Sequence, residues 1–296
     1  MIAPPIRNAR LAGWLGSRLR APGSLFRDKD FSVRREYIES FDGERIELLI
    51  IEPHGLCEPA PAMVYYHGGG FFFGASWHHY NMARMYAKEG ECKLIFPQYR
   101  LAPKHPYPHA PEDCYAALKY TYENADTLGI DKEKIAVGGD SAGGALCAAV
   151  VQMARDRGDA LPLFQMLIYP VTDRRMSSES MRSFVDTPMW NARLSRLMWQ
   201  GYTGDGEVEN IAYASPAEAQ SLAGLSPAYV ETAEFDCLRD EGIEYARAMS
   251  ADGVDVELNE TKGTMHAYDM VTGAAESRRS FEARINYINK RFGDAI

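Results

Sequence analysis

No run in the 296-residue chain approaches the about 18 consecutive apolar residues of a membrane-spanning helix. An uninterrupted apolar core with a small-residue cleavage site is likewise missing from its start, so no secretory leader is expected. There is no Cys-x-x-Cys pair and no His-Glu-x-x-His. The five cysteines, Cys57, Cys92, Cys114, Cys147 and Cys237, are scattered and odd in number, which suits free thiols in a reducing cytoplasm. His78 and His79 are adjacent, so on a helix their side chains diverge, and no metal ion or other cofactor is expected. Basic residues are in deficit, 32 against 41 acidic, and the net charge of -9 argues against nucleic acid and gives no pull toward anionic membranes. No Gly/Ser/Pro-rich linker, internal repeat or low-complexity tract divides the chain, which reads as one domain.

What is present is an alternation of short apolar runs and helical patterns, with hydrophobic residues at 46%, ample for a core. Strand-like segments occur around Ser32 to Pro53, at Ala62–Tyr66, Lys93–Phe96, Lys134–Gly138, Phe164–Tyr169, Pro227–Ala233 and Val254–Glu260. Helical patterns follow, at Pro111–Asn124, after Ser141, and through Met249. Such alternation implies an α/β class fold, a mostly parallel central sheet with helices on both faces.

Gly139-Asp140-Ser141-Ala142-Gly143 sits where one apolar run stops and an alanine-rich helix starts. Glycines around a strand-turn-helix junction let the turn tighten until one serine hydroxyl projects into an open site. Ser141 is therefore the candidate nucleophile. A serine hydroxyl is a weak nucleophile at neutral pH and needs an imidazole base, a carboxylate to orient it, and donors for the oxyanion. Donors are expected from His67-Gly68-Gly69-Gly70, which follows a strand: the N–H groups of Gly69 and Gly70, joined by that of Ala142. His67 itself reads as an anchor for that loop. Asp236 ends the Pro227–Ala233 strand region, whereas its rivals Asp240 and Glu241 fall in a first helical turn, where acidic side chains have a structural role. His266 is the only histidine downstream of the serine and lies past the last strand, completing the order Ser, Asp, His.

The chain resembles the hormone-sensitive lipase family of α/β-hydrolases, carboxylesterases and lipases. The resemblance rests on His67–Gly70, Gly139–Gly144, Tyr99-Arg100-Leu101-Ala102-Pro103 with Pro106, Pro108 and Ala110, Tyr169-Pro170, and Asp236 with Leu238, Arg239, Asp240 and Glu241. It implies the α/β-hydrolase fold, with Ser141, Asp236 and His266 in the triad positions and Gly69, Gly70 and Ala142 at the oxyanion hole. It also implies a helical cap from residues 1 to about 40 and about 176 to 213. Ile6, Leu11, Trp14, Leu15 and Leu19 lie broadly on one face of a helical pattern in the first piece, and Met181, Phe184, Trp190, Leu194, Leu197, Met198 and Trp199 fall at helical spacing in the second. The basic face of the first piece reads as cap, so no stable membrane association is expected. Two positions depart from the family pattern: Cys237 stands where proline is common and Ala267 where glycine is common. Cys237, beside Asp236, leaves thiol sensitivity open.

These features predict a cytoplasmic serine carboxylesterase of small ester substrates, acetate to hexanoate. A carbohydrate deacetylase and an amidase or formamidase would use the same triad, and a non-catalytic small-molecule receptor is the remaining alternative. The family likeness also suggests a homodimer paired along Val254–Glu260.

Overall fold

The computed structural model describes residue 21, residues 23–204 and residues 207–294. Alternate residues of the apolar runs feed opposite sides of a sheet: Ala62, Val64, Ile95 and Val137 face one core, and Met63, Tyr65, Leu94, Phe96 and Ala136 the other. The described strands are β1 (Phe31–Glu39), β2 (Arg45–Pro53), β3 (Ala60–Tyr66), β4 (Lys93–Pro97), β5 (Ile130–Asp140), β6 (Gln165–Ile168), β7 (Ala228–Ala233) and β8 (Val256–Thr261). They form one sheet in the order β1-β2-β4-β3-β5-β6-β7-β8. The β1–β2 and β2–β4 pairs are antiparallel and the rest parallel, so the expected mostly parallel α/β sheet is what the chain builds.

The helices are α1 (Trp77–Glu89), α2 (His109–Glu123), α3 (Ala125–Leu128), α4 (Ala142–Arg157), α5 (Glu179–Ser183), α6 (Ala192–Thr203), α7 (Arg239–Ala251) and α8 (Ala275–Gly293). Side chains of α2, α4 and α7 fill one core, and those of α1 and α8 the other. Every residue of α4 from Ala142 to Ala154 is buried. Its small side chains let the helix axis approach the sheet closely, and Gly143 sets the limit: a Cβ there would overlap the carbonyl of Tyr66 in β3. Among the described residues no helix is long and apolar enough to cross a membrane.

Part of the N-terminal segment expected as cap, 1 to about 40, is strand instead. Phe31–Glu39 is β1, paired with β2 in register from Phe31 opposite Pro53 to Glu39 opposite Arg45, because Phe31 and Ile38 bury against the sheet. The amphipathic pattern of Ile6, Leu11, Trp14, Leu15 and Leu19 lies outside the described residues. The second segment, 176–213, contains α5, α6 and a 3-10 turn at Ile211–Tyr213. It inserts between β6 and β7, and Tyr202 of α6 stacks on Phe71, ring centroids 3.7 Å apart.

One buried cation cross-links the C-terminal half. Arg284 of α8, 1% exposed, donates from Nη2 to Glu231 of β7, from Nη1 to Asp269 Oδ2 at 2.8 Å and from Nη1 to the Tyr86 hydroxyl of α1 at 3.0 Å. Tyr229 and Tyr268 donate hydroxyls to Glu231 at 2.9 and 2.8 Å, and Tyr169 donates to Asp269 at 2.8 Å. Burial alone would raise the pKa of Asp269, but Arg284 and His78 hold it below the usual carboxylate range. Removing the cation would leave the buried Glu231 without a counter-charge and Asp269 with only His78 beside it. Arg284→Met is therefore expected to destabilise the fold by about 3–5 kcal/mol, read as a fall in the urea midpoint; a loss under about 1 kcal/mol would contradict this account.

Candidate active site

The site forms where β5, β7 and β8 end at their C-terminal edges, the side on which ligands gather in open α/β sheets. Ser141 occupies the turn from β5 into α4 with φ 54° and ψ -120°, a conformation that is strained for any residue bearing a Cβ. It is held there from both sides. Its N–H donates to Ile168 O at 2.8 Å, and its carbonyl accepts from Val171 N at 3.1 Å.

His266 lies in the loop after β8 and Asp236 in the turn after β7. His266 Nε2 stands 2.9 Å from Ser141 Oγ, and Nδ1 stands 2.6 Å from Asp236 Oδ2. With Asp236 accepting at Nδ1, the bare Nε2 faces the serine hydroxyl as an acceptor. Asp236 is fully buried and its other oxygen accepts from Leu238 N at 3.1 Å. Ser141 and His266 are each 5% exposed. The three residues chosen from sequence are thus joined in one chain of hydrogen bonds. The rivals are turned elsewhere: Asp240 accepts from Ser180 N at 2.7 Å, and Glu241 from Thr172 N at 2.8 Å.

The glycine loop follows β3. Gly69 has φ 124°, and a Cβ on it would stand 2.6 Å from Phe73 O. Its carbonyl accepts from Phe72 N and Phe73 N, closing a tight turn, while no described acceptor takes the N–H of Gly69 or Gly70. Ala142 N–H is the first of α4, one of the unpaired donors that open any helix. Asp140 ties the two motifs together, since its Oδ1 accepts from Gly68 N at 3.1 Å and from the Tyr65 hydroxyl at 3.0 Å. His67 is the anchor expected of it: 1% exposed, stacked on Tyr99 at 4.4 Å, with Nδ1 2.7 Å from Gly68 O.

Both departures from the family pattern have a structural reading. Ala267 adopts φ 56°, ψ 31°, a left-handed conformation in which a glycine would be unstrained. Cys237 is fully buried, and burial pushes its thiol pKa up, so the reactive thiolate is disfavoured. Among the described residues no cluster of three or more His, Cys, Asp or Glu is arranged to hold a metal ion. A hollow of about 780 Å3, lined by His54, Cys57, Lys88 and Phe292 among others, lies at the opposite end of the sheet.

Sequence reasoning named Tyr169 and Trp190 without placing them beside His266. Tyr169 meets the His266 ring edge-on at 4.8 Å, and Trp190 lies 6.1 Å from it. It also missed the Glu231–Arg284–Asp269 network, although a glutamate inside the buried strand Ala228–Ala233 was a visible signal.

The family described as the alpha/beta hydrolase fold matches residues 63–270. The chain is an α/β-hydrolase. It belongs to the hormone-sensitive-lipase-like branch that its motifs resemble. Esterase LipI of Mycobacterium tuberculosis is 39% identical to this hydrolase over 210 residues, 71% of this chain and 66% of that protein. Carboxylesterase NlhH of the same organism is 39% identical over 212 residues, 70% and 66% respectively. The matched part of the hydrolase thus spans just under two thirds of these curated relatives. Among solved structures, a bacterial heroin esterase superposes with a TM-score of 0.85 at 36% identity, over 96% of this chain and 89% of that one. Esterase LipW from Mycobacterium marinum gives 0.84 at 28%, over 96% and 86%.

Burial of His67, with His79 beside it, lowers the His67 pKa from 6.5 to about 3. Between those values the unfolded chain binds a proton that the folded hydrolase does not, so stability falls as pH falls. From pH 6.5 to 5.5 the wild type should lose about 1 kcal/mol more than His67→Gln, measured by urea midpoints at both pH values. Parallel losses would mean that His67 is not a buried neutral ring.

Proposed function

We propose that this hydrolase is a serine carboxylesterase acting on short-chain acyl esters. The observation that carries the reading is the unbroken chain from Ser141 Oγ to His266 at 2.9 Å and from His266 to Asp236 at 2.6 Å. The names of the relatives, esterase and carboxylesterase, support it. Ser141 attacks the ester carbonyl as His266 takes its proton, and Asp236 orients the imidazole and stabilises its charge. The N–H groups of Gly69, Gly70 and Ala142 receive the oxyanion. Alcohol leaves with the proton returned by His266, and water activated by the same ring then releases the acid from the acyl-enzyme. The segment 176–213, with α5 and α6, forms a cap over this site. A receptor that retained ligand without turnover would have no need of a buried, tautomer-fixing Asp236.

Purified enzyme should turn over p-nitrophenyl acetate to hexanoate with rates falling beyond about six to eight acyl carbons. Ser141→Ala should cost about 10^6-fold in kcat; retention of more than a few per cent would sink the assignment. Strong competition by acetylated oligosaccharides would move the reading to carbohydrate deacetylation. β8 is an edge strand, where a second copy would pair. Sedimentation at micromolar concentration should then give a dimer, and monomer alone would remove that part of the reading.

A further inference from the structure

Trp190 precedes α6 and is 8% exposed. The benzo edge of its indole rests on the oxyanion loop: a Cβ on Gly70 would stand 2.6 Å from Cη2, 3.2 Å from Cζ3 and 3.4 Å from Cζ2. The ring centroid is also 6.1 Å from that of His266, tilted by 38°. The same flat side chain therefore spans the gap between a candidate oxyanion donor and the imidazole, the gap in which an ester bound at Ser141 would have to extend. The indole has little freedom to swing aside. Its Nε1 donates to Ser195 Oγ at 2.9 Å, and that hydroxyl is 3.7 Å from Cys237 Sγ, next to Asp236. Its backbone is fixed too, with Trp190 O accepting from Thr187 Oγ1 at 2.8 Å and Asn191 Oδ1 accepting from Leu194 N at 3.2 Å to cap α6.

We propose that Trp190 is the specificity-determining wall of this site, setting the upper size of the ester that the hydrolase accepts. This rests on the esterase reading above and gives its short-chain limit a physical origin. A fixed aromatic ring rejects additional methylenes by overlap, and a discrimination of about tenfold or more per group is within what pocket shape delivers. Trp190 makes none of the hydrogen bonds that join Ser141, His266 and Asp236, so loss of the ring would open the gap without removing any of them.

The test uses the full chain as wild type, Trp190→Phe and Trp190→Ala, with two series of substrates. One lengthens the acyl group, from p-nitrophenyl acetate to decanoate. The other enlarges the alcohol, from ethyl through benzyl to 1-naphthyl acetate. The ratio of kcat/KM for the largest to the smallest ester of at least one series should rise at least tenfold in Trp190→Ala, with Trp190→Phe between. The series that responds identifies whether the ring bounds the acyl or the alcohol side. Ratios within twofold of wild type in both series, in a variant with a native melt and a phosphonate-titratable Ser141, would overturn the proposal. Should Trp190→Ala fail to fold, the smaller change in Trp190→Phe decides, since it keeps most of the ring volume. Absence of serine-dependent turnover in the wild type is a different result: it would reject the esterase reading, and this inference would fall with it.

Discussion

The guanidinium of Arg284 is the constraint on which the geometry of the site depends. Ser141, Asp236 and His266 hang from three separate turns, and the sheet alone fixes only where each turn begins. Arg284 binds Glu231, five residues before Asp236, and Asp269, three residues after His266. The cation thus ties the strand leading to Asp236 to the loop just after His266, which constrains the spacing of the two turns. Tyr86 extends the tie to α1, and Tyr169, donating to Asp269 while its ring meets His266, extends it to the end of β6. A buried ion cluster of this kind need not add stability relative to an apolar core. What it supplies is register, because each carboxylate has one place to find its counter-charge.

The nucleophile turn poses the opposite problem, since its conformation is unfavourable by itself. Ser141 at positive φ costs about 1–3 kcal/mol. That strain is sustained by hydrogen bonds to Ile168 and Val171 on either side of the peptide unit, and by the close seat of α4 on β3 that Gly143 allows. Alanine dominates α4 for the same reason: a larger side chain on the sheet side would lift the helix and take the first N–H groups away from the site. The strained serine and the small-residue helix are two consequences of one close approach.

Period and punctuation made most of this legible in the sequence. Strands from Ala62–Tyr66 to Pro227–Ala233 were readable as short runs bounded by turn residues and Val254–Glu260 by its alternation, and Ser141, Asp236 and His266 because each falls past such a strand. What sequence could not supply were pairings across distance. Nothing local to Arg284 points to Glu231, 53 residues away, or to Tyr86, 198 residues away. Trp190 read as one apolar residue among several at helical spacing, and only the fold places its edge on Gly70. The opening strand was readable from about Ser32, one residue inside β1, but the cap bound of about 40 overlapped it because the residues that mark β1 as strand, Phe31 and Ile38, are few.

The Trp190 indole and the turn carrying Asp236 are coupled through one contact. Ser195 holds the Trp190 indole and also touches Cys237, whose carbonyl accepts from Ser180 Oγ at 2.8 Å and whose neighbour is Asp236. The segment carrying α5 and α6 therefore grips the same turn that presents the carboxylate to His266. Changes in that segment cannot be treated as changes in pocket shape alone, because groups that share a partner combine non-additively. A small residue at position 237 is what permits this contact. The buried cysteine there packs between the segment carrying α5 and α6 and the turn that presents Asp236 to His266.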